Sequence, residues 1–146
     1  MKQRLADYVA DFLVKKGIKN CFTVTGGGAM HLNDALGHKE GLKCIYNHHE
    51  QGSAIAAEAY ARLNNQMAAL CVTTGPGGTN AITGVVGGWL DSIPMFVISG
   101  QARYDTTARY NGQFTDGLPL RAVGDKEFDI TRSVACLCKY EVMRGA

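Results

Sequence analysis

Apolar and polar positions alternate along this chain in two different rhythms. The opening segment places Leu5, Val9, Phe12 and Leu13 at helical spacing, followed by two lysines and Gly17. That pattern predicts an amphipathic helix over 2–16 with a glycine stop. Four short apolar runs rich in β-branched residues come next, at 21–25 (CFTVT), 43–47 (KCIYN), 67–74 (MAALCVTT) and 94–99 (PMFVIS). Continuous apolar runs of this length predict buried strands. The segments between them have helical composition: AMHLNDALGHK, HEQGSAIAAEAYARLNN and TNAITGVVGGWLDS.

Strand and helix thus alternate, which predicts an α/β fold of three layers, α/β/α, with a mainly parallel central sheet. Ligands on such sheets bind at the carboxyl ends of the strands, so the turns after the first three strands are the informative places. Residues 101–125 show no period and read as a long loop, a class of segment that is often functional. The run 130–143 (ITRSVACLCKYEVM) is expected to hold a short helix and then an edge strand.

With 146 residues, 46% of them hydrophobic and 19% charged, the chain matches one globular domain with a core of its own. The net charge of +2 comes from scattered lysines and arginines, so neither a nucleic-acid nor a membrane partner is expected. Asp7 and Asp11 interrupt the first apolar stretch, and no run approaches a membrane span. Five cysteines, an odd number lying mostly inside apolar runs, fit buried thiols in a reducing compartment, and the expected location is cytoplasmic. Cys136 and Cys138 would share one face of a strand, but no second Cys or His pair stands at ligand spacing, so no metal site is assigned to this chain.

Each of the three turns carries residues of interest. After the first strand, Gly26, Gly27 and Gly28 permit a close backbone approach, although the order is not that of a dinucleotide fingerprint. After the third, Gly75, Pro76, Gly77 and Gly78 make an abrupt turn in which Thr79 or Asn80 can cap the next helix; the Gly-Lys-Ser/Thr ending of a phosphate loop is missing. After the second, Glu50 opens a helix bearing Ala54, Ala56, Ala57, Ala59 and Ala61. An acid at a helix start is favoured by the helix dipole, by about 0.3–1 kcal/mol, and that alone could explain it. The alanines, however, predict close packing against another element, which would leave Glu50 at a partly dry boundary and able to share a proton with a ligand nitrogen. His48 and His49 point to opposite sides of an extended segment, so one of them is expected to line a pocket. Trp89, with Ile82, Val85 and Val86, is expected in core or interface packing, and Gly84, Gly87 and Gly88 imply a helix packed tightly alongside.

Taken together, HHEQGSAIAAEAYAR and VTTGPGGTNAITGVVGGWLDSIPMFVISGQ resemble the pyrimidine-binding, N-terminal domain of acetolactate synthase-like thiamine-diphosphate enzymes. The family's acid falls on Glu50, its SGPGxTN turn on Thr74 through Asn80, and its D-S-(I/V)-P segment on Asp91 to Pro94. The resemblance implies the thiamine-diphosphate-binding fold over 1–146, with the central and diphosphate-binding domains absent from this chain. It implies cofactor contacts from Gly26, Gly27, Glu50, Thr74, Pro76, Gly77 and Asn80, with Glu50 activating the aminopyrimidine of thiamine diphosphate. Mg²⁺ and the diphosphate would be held by a diphosphate-binding domain or subunit, and the assembly would be a homo-oligomer acting on a 2-keto acid such as pyruvate. His49, Gln113 and Lys126 would face substrate. Two departures stand out: Thr25 precedes the glycines where Pro-Gly-Gly is common, and Lys126 in DKEFDI replaces a substrate-facing glutamine, although Glu127, Asp129 and Ile130 match. The rival expectations are a non-catalytic dimerisation or regulatory remnant of the same fold, and the small subunit of a two-chain 2-keto acid decarboxylase. A Rossmann-like nucleotide-binding protein is disfavoured by the first turn.

Overall fold

The structure, a computed structural model, describes residues 2–112 and 120–143. Four parallel strands, β1 (Asn20–Thr23), β2 (Lys43–Tyr46), β3 (Ala68–Val72) and β4 (Met95–Ser99), form one sheet in the order β2-β1-β3-β4. Parallel neighbours need long crossovers. These are supplied by α2 (Met30–Gly37), α3 (Glu50–Asn64) and α4 (Pro76–Leu90), with α1 (Leu5–Lys15) leading into β1.

Both faces of the sheet are covered, as alternation along β3 shows. Ala69 and Cys71 join Cys21 of β1 under α1 and α2, packing with Ala10, Leu13 and Leu36. Ala68, Leu70 and Val72 point the other way and join Phe22 against Ala54 and Ala57 of α3 and Ala81 and Val85 of α4. The result is the expected three-layer α/β/α arrangement. Burial separates the strands, however: β3 is buried throughout and β1 nearly so, whereas the edge strands β2 and β4 are only half-buried. Four apolar runs of similar composition cannot tell a central strand from an edge.

Helix α1 ends where Gly17 takes φ +78°. Its buried stripe is Ala6, Ala10 and Leu13, while Leu5 is 61% exposed, so the inward face is turned from the one the larger apolar residues suggest. Helix α4 begins at Pro76, three residues before the expected cap, because Pro76 presets the helical φ and Gly75 makes the preceding turn at φ +49°. Thr79 and Asn80 therefore lie within its first turns and are not its cap. In the supposed long loop, Tyr104–Thr106 forms a 3₁₀ turn and α5 (Ala108–Asn111) follows, capped by Thr107, whose side chain accepts the Tyr110 N–H at 3.2 Å. Among the described residues the expected edge strand is absent: α6 (Ile130–Val134) runs into a 3₁₀ turn over Ala135–Leu137, and residues 138–143 pair with no described strand. Cys136 and Cys138 consequently share no strand face.

Helices α3 and α4 lie almost backbone to backbone. A Cβ on Gly84 would stand 2.5 Å from Ala54 Cβ and 2.8 Å from the Ile55 nitrogen. The alanines and Gly84 therefore set the spacing of these helices, as the small-residue pattern predicts. Gly87 differs, since a Cβ there would meet nothing within 4 Å. Beyond this seam, Arg62 ties the ends of both helices, reaching Glu58 and Asp91 at 2.5 Å each. Trp89 is 46% exposed and so is not a core residue. Among the described residues no helix is long and apolar enough to cross a membrane.

Candidate functional site

Because all four strands are parallel, the turns after β1, β2 and β3 emerge on one edge of the sheet. The chain leaves β1 for β2 on one side, whereas β3 and β4 lie on the other, so the strand order reverses between β1 and β3. Ligands of open α/β sheets bind beside such a switch point, although here the two turns that flank it close on each other.

The turn after β1 is pressed onto the turn after β3. Gly28 N–H donates to Thr73 Oγ1 at 3.1 Å, and a Cβ on Gly28 would come within 2.1 Å of Thr74 Cγ2. Thr74 is buried by this contact, at 6% exposure. Gly26 stacks against the Thr73 side chain, while the Gly27 backbone is exposed with open space where a side chain would be. Thr73 is thus the residue that holds the two turns together, and it was not singled out from the sequence. The only available signal was a second threonine at the end of a buried strand.

Glu50 enters from the turn after β2. Asn47 Nδ2 donates to Ser53 Oγ at 3.0 Å, across the start of α3. His49 is the N-cap: its Nδ1 accepts the Gln51 N–H at 3.2 Å. The close α3–α4 packing then brings Glu50 over the first turn of α4. Glu50 is half-buried, and its Oε2 accepts from Asn80 Nδ2 at 2.8 Å. Asn80 Nδ2 also lies 3.2 Å from His49 Nε2. The second carboxyl oxygen, Oε1, stands 3.6 Å from the point where a Cβ on Gly77 would be. His49, Glu50, Gly77 and Asn80 therefore form one cluster, with Gly26, Gly27 and Thr74 on the neighbouring turns and Pro76 exposed at the start of α4. His48 is exposed and outside it.

Lys126 reaches the same edge through its main chain. Its carbonyl oxygen lies 2.2 Å from where a Cβ on Gly75 would be, and Lys126 itself takes φ +55°. Glu127 organises this segment, accepting from the N–H groups of Ala108 at 2.8 Å, Val123 at 2.9 Å and Gly124 at 3.2 Å. Asp129 caps α6. Gln113 lies outside the described residues. Among the described residues no group of three or more His, Cys, Asp or Glu side chains is arranged to hold a metal ion.

This edge supplies one carboxyl group with an amide partner on one oxygen and the buried Gly77 beside the other. A carboxyl group so held can exchange a hydrogen bond with a ligand at this edge. Comparison with known proteins agrees in kind. The family model described as thiamine pyrophosphate enzyme, N-terminal TPP binding domain, matches residues 3–120. The large subunit of acetolactate synthase from Buchnera aphidicola subsp. Schizaphis graminum is 43% identical over 96 residues, covering 66% of this chain and 17% of that protein. Chloroplastic acetolactate synthase from Arabidopsis thaliana is 35% identical over 135 residues, covering 88% of this chain and 18% of its own length. The isozyme 3 large subunit from Escherichia coli (strain K12) is 38% identical over 96 residues, 66% of this chain and 17% of that one. The chain thus spans less than a fifth of the length of these relatives.

Proposed function

Because the chain belongs to the family of thiamine pyrophosphate enzyme N-terminal TPP-binding domains, as found in acetolactate synthase-like proteins, we propose that it is the pyrimidine-binding part of a thiamine-diphosphate-dependent decarboxylase or carboligase. Its substrate is a 2-keto acid such as pyruvate. Glu50 is the acid that activates the cofactor's aminopyrimidine. The observation that carries this reading is the placement of the Glu50 carboxyl at the switch point, one oxygen held by Asn80 and the other beside Gly77.

The residues present fit the group. A ring nitrogen needs a carboxyl that can carry a proton, which Glu50 offers, and the flat ring needs a surface without side chains, which the exposed Gly27 of the neighbouring turn offers. When bound, thiamine diphosphate supplies an acidic thiazolium carbon and an electron sink for loss of carbon dioxide. This chain's part is narrower. The Glu50 carboxyl holds and exchanges a proton with the ring nitrogen, while Asn80 keeps the carboxyl from turning to solvent. Lys126 meets an anionic substrate in this reading, which its main-chain contact with Gly75 in the turn after β3 supports. The diphosphate and Mg²⁺ fall to a partner domain or subunit.

Titration calorimetry with thiamine diphosphate and Mg²⁺, with and without a diphosphate-binding partner, tests the reading. Binding that appears only with the partner supports it. In the assembled enzyme, Glu50→Gln should lower turnover by roughly 10² to 10⁴, as loss of a proton-transfer group does. Unchanged turnover would remove Glu50 from the role.

A further inference from the structure

The His49–Asn80–Glu50 cluster contains a conflict of hydrogens. The Asn80 amide nitrogen faces two acceptors, Glu50 Oε2 at 2.8 Å and His49 Nε2 at 3.2 Å, while His49 Nδ1 already receives the Gln51 N–H at 3.2 Å. A backbone N–H can only donate, so Nδ1 is the accepting nitrogen of the imidazole. A neutral imidazole then carries its hydrogen on Nε2, and that hydrogen points at the hydrogens of the Asn80 amide. Both cannot stand.

Two arrangements remove the conflict. In one, a half-turn of the Asn80 amide exchanges its oxygen and nitrogen, and Oδ1 accepts from His49 Nε2–H. The same oxygen then faces Glu50 Oε2, and two oxygens share a hydrogen bond only if the carboxyl carries a proton. In the other, Glu50 is ionised and the amide keeps its NH₂ toward the carboxylate. His49 must then move its hydrogen to Nδ1, giving up the Gln51 contact, or let go of Asn80.

We propose that Asn80 is a positioning residue whose amide orientation links the proton on Glu50 to the tautomer of His49, and through it to the first turn of α3. The inference deepens the reading of Glu50 as the cofactor's acid and rests on it for its purpose: an acid that gives up and regains a proton is seated where each state has its own hydrogen-bond set. Few other charges face the cluster. Residues 76–90 of α4 contain no ionisable side chain, His48 is exposed beside it, and Lys126 packs at Gly75 through its main chain.

The test is ¹⁵N NMR of the His49 imidazole in the 146-residue chain without cofactor, at about pH 8, where an ordinary histidine is neutral. Four proteins are compared: wild type, Glu50→Gln, Asn80→Leu and the double variant. Glu50→Gln replaces a carboxylate with a group that can donate. With Asn80 present it should raise the ratio of Nε2–H to Nδ1–H tautomer about fivefold, the equivalent of one net hydrogen bond. With Asn80→Leu it should leave the ratio unchanged. An equal response in both backgrounds, or none in either, overturns the proposal. Backbone amide spectra check the fold of each variant, and Asn80→Ser, too short to bridge, replaces Asn80→Leu if the latter misfolds. The calorimetric test is separate: no cofactor binding by the wild-type protein with its partner, with the tautomer coupling intact, removes the acid's role alone, and binding without the coupling removes the coupling alone.

Discussion

Adding one methyl group to α4 should have opposite effects at two glycines three residues apart. At Gly84 a Cβ would fall 2.5 Å from Ala54 Cβ, 2.8 Å from the Ile55 nitrogen and 2.9 Å from the Ala54 carbonyl carbon, about 1 Å inside ordinary contact. Two of these are backbone atoms of α3, so rotamer changes cannot relieve the overlap and the helices must separate. Overpacking of this kind costs about 3 kcal/mol, offset by about 1 kcal/mol from the better helix propensity of alanine. Gly84→Ala should therefore lose about 2 kcal/mol, or roughly 6 °C in Tm for a domain of this size. At Gly87 nothing lies within 4 Å, so Gly87→Ala should gain about 1 kcal/mol from propensity alone. Differential scanning calorimetry of the two variants measures both. The consequence for the site is also opposite. Because α3 carries Glu50, a shift of about 1 Å at Gly84 moves the carboxyl from Asn80 and should weaken cofactor binding in the assembled enzyme, whereas Gly87→Ala should leave it unchanged. Equal and same-signed Tm shifts would refute the claim that Gly84 sets the helix spacing.

Further outcomes follow from two other contacts. Cys44 lies directly opposite Cys21 in the β1–β2 register, and the hydrogen bond from the Cys21 thiol holds Cys44 down to about 7, against the opposing effect of burial. A lowered value means the thiolate is populated as pH rises through about 7, so alkylation of Cys44 by iodoacetamide, followed by peptide mass spectrometry, should increase steeply there. Cys21→Ala, which removes the donor, should move that rise toward the ordinary thiol value of 9.0, and an unchanged profile would count against the pairing. At the joined turns, Gly28→Ala would drive its Cβ onto Thr74 Cγ2 and should cost about 1–3 kcal/mol in urea unfolding. Thr74→Ser removes that methyl, so the double variant should recover part of the loss, and strict additivity would refute the contact.

Much of the architecture was legible in the chain itself, and the reasons are local. Runs such as residues 67–74 fill a central parallel strand because no polar residue interrupts them, and Gly17 stops α1 because it alone there adopts positive φ at little cost. The contact of Glu50 with α4 was legible only through its neighbours: Glu50 in isolation is an ordinary helix-start residue, and the alanines after it implied a partner helix. Where the reading failed, two local signals competed. Thr79 and Asn80 are good caps, but Pro76 starts the helix earlier, which places Asn80 along the helix and frees its amide to reach Glu50. Likewise ITRSVACLCKYEVM has an apolar stretch, yet Asp129 caps a helix across its start and the rest finds no strand to pair with.

Hydrophobic rhythm and turn residues thus determined the layers, the element order and the edge of the sheet where chemistry belongs, because each depends on a residue's own preferences and those of its near neighbours. Strand order, the depth at which β3 lies, and the meeting of His49, Glu50, Gly77 and Asn80 were decided only in three dimensions. Those contacts join residues about thirty positions apart, and their distances depend on how closely two helices can approach across Gly84, which no local preference encodes.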